Sequence, residues 1–358
     1  MTRVRLWRAF VFLKVFYMLF GVFIYSRFTR LGDSDRYLDA SLSFSPKIFY
    51  SSTSLLDFIG SILGTVPFLG HFFACFISIY GISYLLKNIP LSYGMYIVVV
   101  LFMSLPTFGI WSSIYGKEAF TVFSLSVTLA YIVKFNYNQC GTPRPIELLA
   151  IYLLLLLKPQ YFIALANLLT LSILWRANLH LVIKWIISCL IIFIGILLLY
   201  AFRDLIDHLS FVMITHFSTD ANSTRDASFI WDSQYDVFKN AFYGMFIAFI
   251  GPTFEEGMNK PLQLIAFFES VLLIFILIGY FIKDLLLGFS KCKVNLASIF
   301  IILCFMTWLL FVHYPFGVLN PGSALRYRSG FLHVLIIVVV YYGFANQRRV
   351  KNLFFRSE

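Results

Sequence analysis

Apolar residues run through this chain in blocks, each closed by a short charged stretch. Most blocks approach the roughly 20 residues that a helix needs to cross about 30 Å of hydrocarbon. They fall at residues 9–27, 67–86, 91–105, 118–134, 147–157, 160–175, 182–201, 262–282, 295–312 and 329–345. The pattern predicts an all-α fold, a polytopic transmembrane helical bundle of about ten spans, because lipid leaves every backbone N–H and C=O to be satisfied within its own segment. Two further stretches are too short to span but keep helical spacing: Leu55, Leu56, Ile59, Ile62 and Leu63, and Phe242, Met245, Phe246 and Phe249. They are expected as interfacial helices within the long outer loops 28–66 and 202–261. Residues 147–175 read as two arms meeting at Lys158-Pro159-Gln160, since one unbroken helix would be about 43 Å long. Without an internal repeat or a Ser/Gly/Pro-rich linker, 1–358 reads as one integral membrane domain.

Composition agrees with the pattern and charge gives it a direction. Hydrophobic residues make up 60% of the chain and charged residues 13%, against about a quarter charged in soluble domains. With the N-terminus cytoplasmic, the inner side collects Arg3, Arg5, Arg8, Lys14, Lys87, Arg144, Arg176 and the Arg348-Arg349-Val350-Lys351 tail, while Glu147, Asp284 and Glu358 are the acids on that side. That is the positive-inside arrangement, with both termini cytoplasmic. The net charge of +11 is therefore a topology signal and calls for no nucleic acid. The first block follows three arginines like a signal peptide, but Arg27 and Arg30 come next with no small-residue cleavage site, so it is expected to be retained. The five cysteines fall in spans or inner loops, against disulfides. His208 and His216 lack zinc-ligand spacing. No nucleotide loop, C-x-x-C or G-x-S-x-G occurs, so no metal or cofactor is expected.

Candidate chemistry gathers in the outer loops. Asp33, Asp35 and Asp39 crowd three carboxylates into seven positions. Clustering raises carboxylate pKa values and can make a general base, although Asp33 and Asp35 would point about 160° apart on a helix. The plainer alternative is a solvated loop with Arg36 as a local partner. Lys117-Glu118 opens the fourth span, where helix capping alone would explain the acid. Lys158 lies between two apolar arms, where a cation needs a polar cavity or must snorkel. Arg326 and Arg328 stand two apart before the last span, and guanidinium forks suit phosphate; pairing with the acidic loops is the alternative. The 203–236 stretch mixes Asp204, Asp207, His208, His216, Asp220, Asp226 and Asp232 with Trp231 and Tyr235, a mixture of acceptors and rings that suits a sugar. Asn222-Ser223-Thr224 fits a glycosylation acceptor. His71, His180 and His333 read as packed or interfacial, whereas His313 stands near the outer end of the ninth span.

Taken together, Gly32-Asp33-Ser34-Asp35-Arg36-Tyr37, Gly116-Lys117-Glu118, Lys158-Pro159-Gln160 and Arg326-Tyr327-Arg328 resemble the bacterial O-antigen and capsule repeat-unit polymerases (Wzy-type), which are similar to GT-C glycosyltransferases. The resemblance implies a metal-independent glycosyltransferase of the bacterial inner membrane that joins polyprenyl-diphosphate-linked oligosaccharide units on the periplasmic face. It also implies a chain-length regulator and a flippase as partners. Catalysis would fall to Asp33, Asp35 or His313, with Asp33 preferred because it precedes the expected helix while Asp35 can pair with Arg36 or Asp39. Lys158, Arg326, Arg328 and Lys117 would hold the lipid diphosphate, and Tyr37, Glu118, Trp231 and Asp232 the sugar. A flippase for the same lipid-linked units is the competing class, and a membrane acyltransferase would need a histidine deep in a helix beside the site.

Overall fold

The computed structural model describes residues 2–66, 68–136, 141–218, 225, 230–290 and 296–344, and among them all regular structure is helical. In chain order the helices are α1 (Arg3–Phe23), α2 (Ser34–Leu38), α3 (Ser52–Leu63), α4 (Leu69–Asn88), α5 (Tyr93–Met103), α6 (Pro106–Trp111), α7 (Lys117–Asn136) and α8 (Pro145–Leu157), followed by α9 (Pro159–Arg176), α10 (Leu181–Ala201), α11 (Arg203–Ser218), α12 (Asp236–Lys239), α13 (Ala241–Ile250), α14 (Phe254–Asn259), α15 (Pro261–Ser290), α16 (Leu296–Gly317) and α17 (Pro321–Phe344). Among the described residues seven are long and apolar enough to cross a membrane: α1, α4, α7, α10, α15, α16 and α17. The chain is thus an all-helical, multi-pass membrane protein. Each of the ten apolar blocks meets a helix, but α5 and α8 are shorter, at 11 and 13 residues, and α9 is not among the seven.

Where the sequence shows no boundary, packing divides the chain into two compact units. The first takes Met1–Ile163, Tyr280–Asn295 and Ser329–Glu358. Its centre is α7, which buries nearly every side chain. A Cβ on Gly81 of α4 would lie 2.6 Å from the Phe123 Cα, so the absent side chain lets α4 and α7 meet backbone to backbone. The register of His71 with Tyr115, Gly81 with Phe123 and Tyr84 with Lys134 makes the two helices parallel. Helix α8 returns antiparallel: Glu147 at its start meets Lys134 near the end of α7, and Leu157 at its end packs with Tyr115, Ala119 and Phe120. The C-terminal part of α17 runs with α7, Gly330 facing Thr121 and His333 bonded to Ser126 at 2.9 Å.

The second unit takes Ala164–Gly279 and Leu296–Arg328. Its core joins Ile230, Trp231, Val237, Ile247, Ala248, Tyr314, Val318 and Leu319. Gly244 lets α13 close on α16, since a Cβ there would stand 2.5 Å from the Tyr314 ring. Of the expected interfacial face of α13, Phe242 and Phe246 are exposed while Phe249 is buried.

Three expectations change. The start of the 202–261 loop is helical, as α11, because Ile206, Met213 and Ile214 pack on the core. Asp207 and Ser210 share its buried side and disguise the apolar stripe. The last helix begins at Pro321, so Arg326 and Arg328 are inside it and not in a loop before it. Residues two apart on a helix point about 160° apart, so the pair cannot grip one phosphate as a fork. Lys14, which the charge pattern counts toward the inner face, is fully buried in α1 and donates to the Ser112 carbonyl and hydroxyl at 3.0 and 2.7 Å.

Candidate functional site

One end of the first unit collects six of the residues that the sequence singles out. Tyr37, Leu56, Ala74, Tyr115, Ala119, Phe120 and Leu157 form a single apolar cluster. Asp33 and Asp35 lie just before Tyr37, Lys117 and Glu118 just after Tyr115, and Lys158 just after Leu157. The antiparallel return of α8 is what brings Lys158 to this end. There the backbone leaves helical geometry, at φ −149° and ψ 65°, because Pro159 disfavours helix in the residue before it.

Gly32 takes a left-handed φ of 67° and turns the chain into α2. Asp33 is the N-terminal flanking residue of that helix and Asp35 lies in its first turn. Arg36 does not pair with Asp35. It reaches Asp57 of α3 at 3.9 Å and covers the Tyr37 ring at 4.5 Å. The Asp35 carboxylate is exposed, and no hydrogen bond or ion pair holds it among the described residues. Of the two grounds for preferring Asp33 over Asp35, the pairing of Asp35 is therefore gone, while Asp33 does precede the helix. Lys117 is half-buried, with Nζ 3.2 Å from the Thr53 hydroxyl. Glu118 is buried and turned toward Gly116, where an added Cβ would meet its Oε2 at 3.1 Å. Tyr37 is buried edge-on to Tyr115, with no ring face open to a sugar.

A further buried residue at Tyr115 lies outside the candidate set. His71, in the first turn of α4, is buried, and its Nδ1 accepts the Tyr115 N–H at 3.2 Å. Neither spacing nor hydropathy connects positions 71 and 115, so this bond has no signal in the sequence.

The second unit holds the other candidates, and most have structural employment. His313 is buried, with Nε2 3.3 Å from the Ala248 carbonyl, and Arg328 is buried, with Nη1 2.7 Å from both the Phe249 carbonyl and the Ser270 hydroxyl. These carbonyls belong to the last turn of α13, where cations suit the helix dipole. Arg328 is accordingly held by a carbonyl and a hydroxyl inside the protein. Arg326 is half-buried against the Tyr327 ring at 5.7 Å. Trp231 donates its N–H to the Tyr314 hydroxyl at 3.1 Å within the core, so its faces are closed to a sugar, while Asp232 is exposed.

The acids of the 203–236 stretch also serve the fold. Asp207 accepts the Tyr235 N–H at 2.8 Å and Asp204 the Tyr235 hydroxyl, which secures Tyr235 in a left-handed φ of 64°. The Ser233 N–H, then the Lys239 ammonium and the Ser233 hydroxyl, hold the Asp236 carboxyl well below the usual range. Burial acts to raise the Glu256 carboxyl, but Arg225 and the Thr253 N–H outweigh it and keep it below its ordinary value. His208 is exposed. His216, Asp220, Asn222-Ser223-Thr224 and Asp226 lie outside the residues whose side chains are described.

Among the described residues no three His, Cys, Asp or Glu side chains are grouped to hold a metal ion. Cys75, Cys189 and Cys304 are free thiols. No family model, no curated protein and no solved structure matches this chain.

Proposed function

We propose that this protein is a metal-independent glycosyltransferase that joins polyprenyl-diphosphate-linked oligosaccharide units on the periplasmic face of a bacterial inner membrane, as a GT-C-like repeat-unit polymerase for O-antigen or capsule. The observation that carries the reading is the gathering of a free carboxylate, Asp35, with Lys117 and Lys158 around the apolar cluster at one end of α4, α7 and α8. In the reaction an acceptor hydroxyl oxygen bonds to the anomeric carbon, and the bond from that carbon to the lipid diphosphate breaks. The hydroxyl proton goes to the base and the electron pair leaves with the diphosphate.

Asp35 suits the base, being exposed and not paired with Arg36, which reaches Asp57 instead. Lys117 and Lys158 suit the departing diphosphate, whose growing charge fixed cations stabilise most in a poorly solvated site. Ten spans with both termini cytoplasmic, and partners that supply lipid-linked units or set chain length, belong to the same reading.

One observation favours the flippase alternative: Lys14 places a cation in the interior of the first unit, where transit of an anion would need one. Its hydrogen bonds to Ser112, the residue that ends α6, give it a structural task instead. To test the transferase, Asp35→Asn, Lys117→Ala and Lys158→Ala are each expressed in the source strain, and surface polysaccharide length is read by gel. Short chains or single units are expected from each. Full-length polysaccharide from all three variants refutes the reading.

A further inference from the structure

Between α2 and α3 the first unit exposes a run of large apolar side chains. Leu42, Phe44, Phe49 and Tyr50 are 62–72% exposed, and Lys47 is the one charge from residue 40 to residue 56. Exposure alone does not say what covers them, but Tyr152 does. Its hydroxyl donates to the Phe49 carbonyl at 2.7 Å, so this segment rests on α8. That helix has two faces: Glu147, Ala150, Leu154 and Leu157 are buried, while Leu148, Leu149, Tyr152 and Leu155 are exposed along one stripe. Helix α8 runs beside α7, which is long and apolar enough to cross a membrane, from Lys134 at one end to the cluster of Tyr115 and Phe120 at the other. A stripe of leucines in that position faces lipid, because only hydrocarbon there keeps it from water. Tyr152 stands on the stripe, five residues before Leu157 and about 7.5 Å below the end of α8 that holds Lys158.

The backbone of the segment suits such a place. Hydrocarbon excludes chain whose N–H and C=O groups are left open, and here they are closed. Pro46–Phe49 forms a single 3-10 turn. The Ser45 carbonyl accepts the Ile48 N–H at 3.1 Å, and the Lys47 carbonyl accepts the N–H groups of Tyr50 and Ser51 at 3.1 and 2.8 Å. Pro46 has no N–H to satisfy, and the Phe49 carbonyl has Tyr152. Ile48 is buried, and Phe44 meets the Phe58 ring of α3 edge-on at 5.8 Å, which fixes the turn in place.

We propose that residues 44–50 are a membrane-inserted strap. The rings of Phe44, Phe49 and Tyr50 sit among acyl chains beside α8, in the leaflet on the Lys158 side, and Lys47 extends its ammonium to the phosphates of that leaflet. The occupant of this surface is bilayer lipid. The insertion does not depend on the transferase reading.

The strap is tested in full-length protein in lipid nanodiscs, with trifluoromethyl-phenylalanine placed at position 44, 49, 149 or 178, one at a time. Fluorine relaxation is read with dissolved oxygen, which concentrates in hydrocarbon, and with a gadolinium chelate, which stays in water. Leu149 reports the lipid-facing stripe, and Asn178, exposed in the loop between α9 and α10, reports water. Oxygen enhancement at 44 and 49 equal to that at 149, with loss of the gadolinium effect seen at 178, is expected. Gadolinium enhancement at 44 and 49 like that at 178 overturns the insertion. So does shielding from both agents, which a second copy seated on the surface would produce. Tyr152→Phe keeps the ring but removes the hydroxyl on the Phe49 carbonyl; it is expected to raise gadolinium relaxation at 49 and leave 149 unchanged. No change at 49 overturns the anchoring by Tyr152.

Discussion

The ion pair at the far end of the first unit gives the sharpest test of how this protein holds its helices together. Glu147 accepts from the Tyr84 hydroxyl at 2.6 Å, from the Lys134 ammonium, and from the Arg144 N–H at 2.7 Å, and both charged side chains are almost wholly shielded. Three helices, α4, α7 and α8, meet at this carboxylate. Replacing Glu147 with Leu removes all three bonds and leaves the Lys134 ammonium buried with only Tyr84 as acceptor. Breaking one partner of a buried pair costs about 3–5 kcal/mol. The lower value, about 3 kcal/mol, applies here because the pair lies at helix ends, where the lysine can swing toward water. Removing both charges with Lys134→Met and Glu147→Leu leaves no stranded ion, so the double variant should recover at least about 2 kcal/mol of that loss. The measurement is a double-mutant cycle on unfolding by SDS in mixed micelles, followed by far-UV circular dichroism. If Glu147→Leu is within about 0.5 kcal/mol of wild type, or the two substitutions add without coupling, the pair does not fasten α7 to α8 and the reasoning fails.

Other perturbations address other parts of the molecule. Gly81→Val should separate α4 from α7 and destabilise by about 1–3 kcal/mol in the same micelle assay, because the new carbons meet the Phe123 backbone. Gly60→Ala puts a methyl against the Tyr37 carbonyl; it should displace α2, raise hydrogen exchange across residues 34–39 and shorten the polysaccharide. The Asp236 carboxyl is held below its ordinary value, so its stabilisation is fully present above about pH 4 and is lost as pH falls through the lowered folded value. Hydrogen exchange of residues 230–240 should therefore rise on acidification below about pH 4, and Asp236→Asn should raise exchange at neutral pH and flatten the acid limb. Trp231→Phe keeps the ring but removes the donor to Tyr314, and should destabilise the second unit by about 1 kcal/mol without altering polysaccharide length.

Sequence by itself determined the class of this protein. Long apolar blocks in a chain with few charges leave helices as the way to satisfy backbone groups in lipid, and each block meets a helix. The helix break at Lys158 was equally legible, because Pro159 acts on its own neighbour. So was the first-turn position of Lys117 and Glu118, which depends on residues a few places apart.

Only the tertiary structure decided which charges are available. Hydropathy cannot tell that α17 begins at Pro321, because the polar run Asn320 to Ser329 is helical only where Arg328 finds the Phe249 carbonyl and the Ser270 hydroxyl. Nor can it tell that Arg36 turns to Asp57 and frees Asp35, or that Trp231 is closed into a core with Tyr314. These outcomes rest on partners tens of residues away, chosen by helix packing through Gly60, Gly81 and Gly244. Local pattern fixes what a segment becomes, since backbone hydrogen bonds and the spacing of apolar side chains are short-range. The fate of a buried polar group is set by whichever distant partner the packing brings within about 3 Å, as for His71 on the Tyr115 N–H.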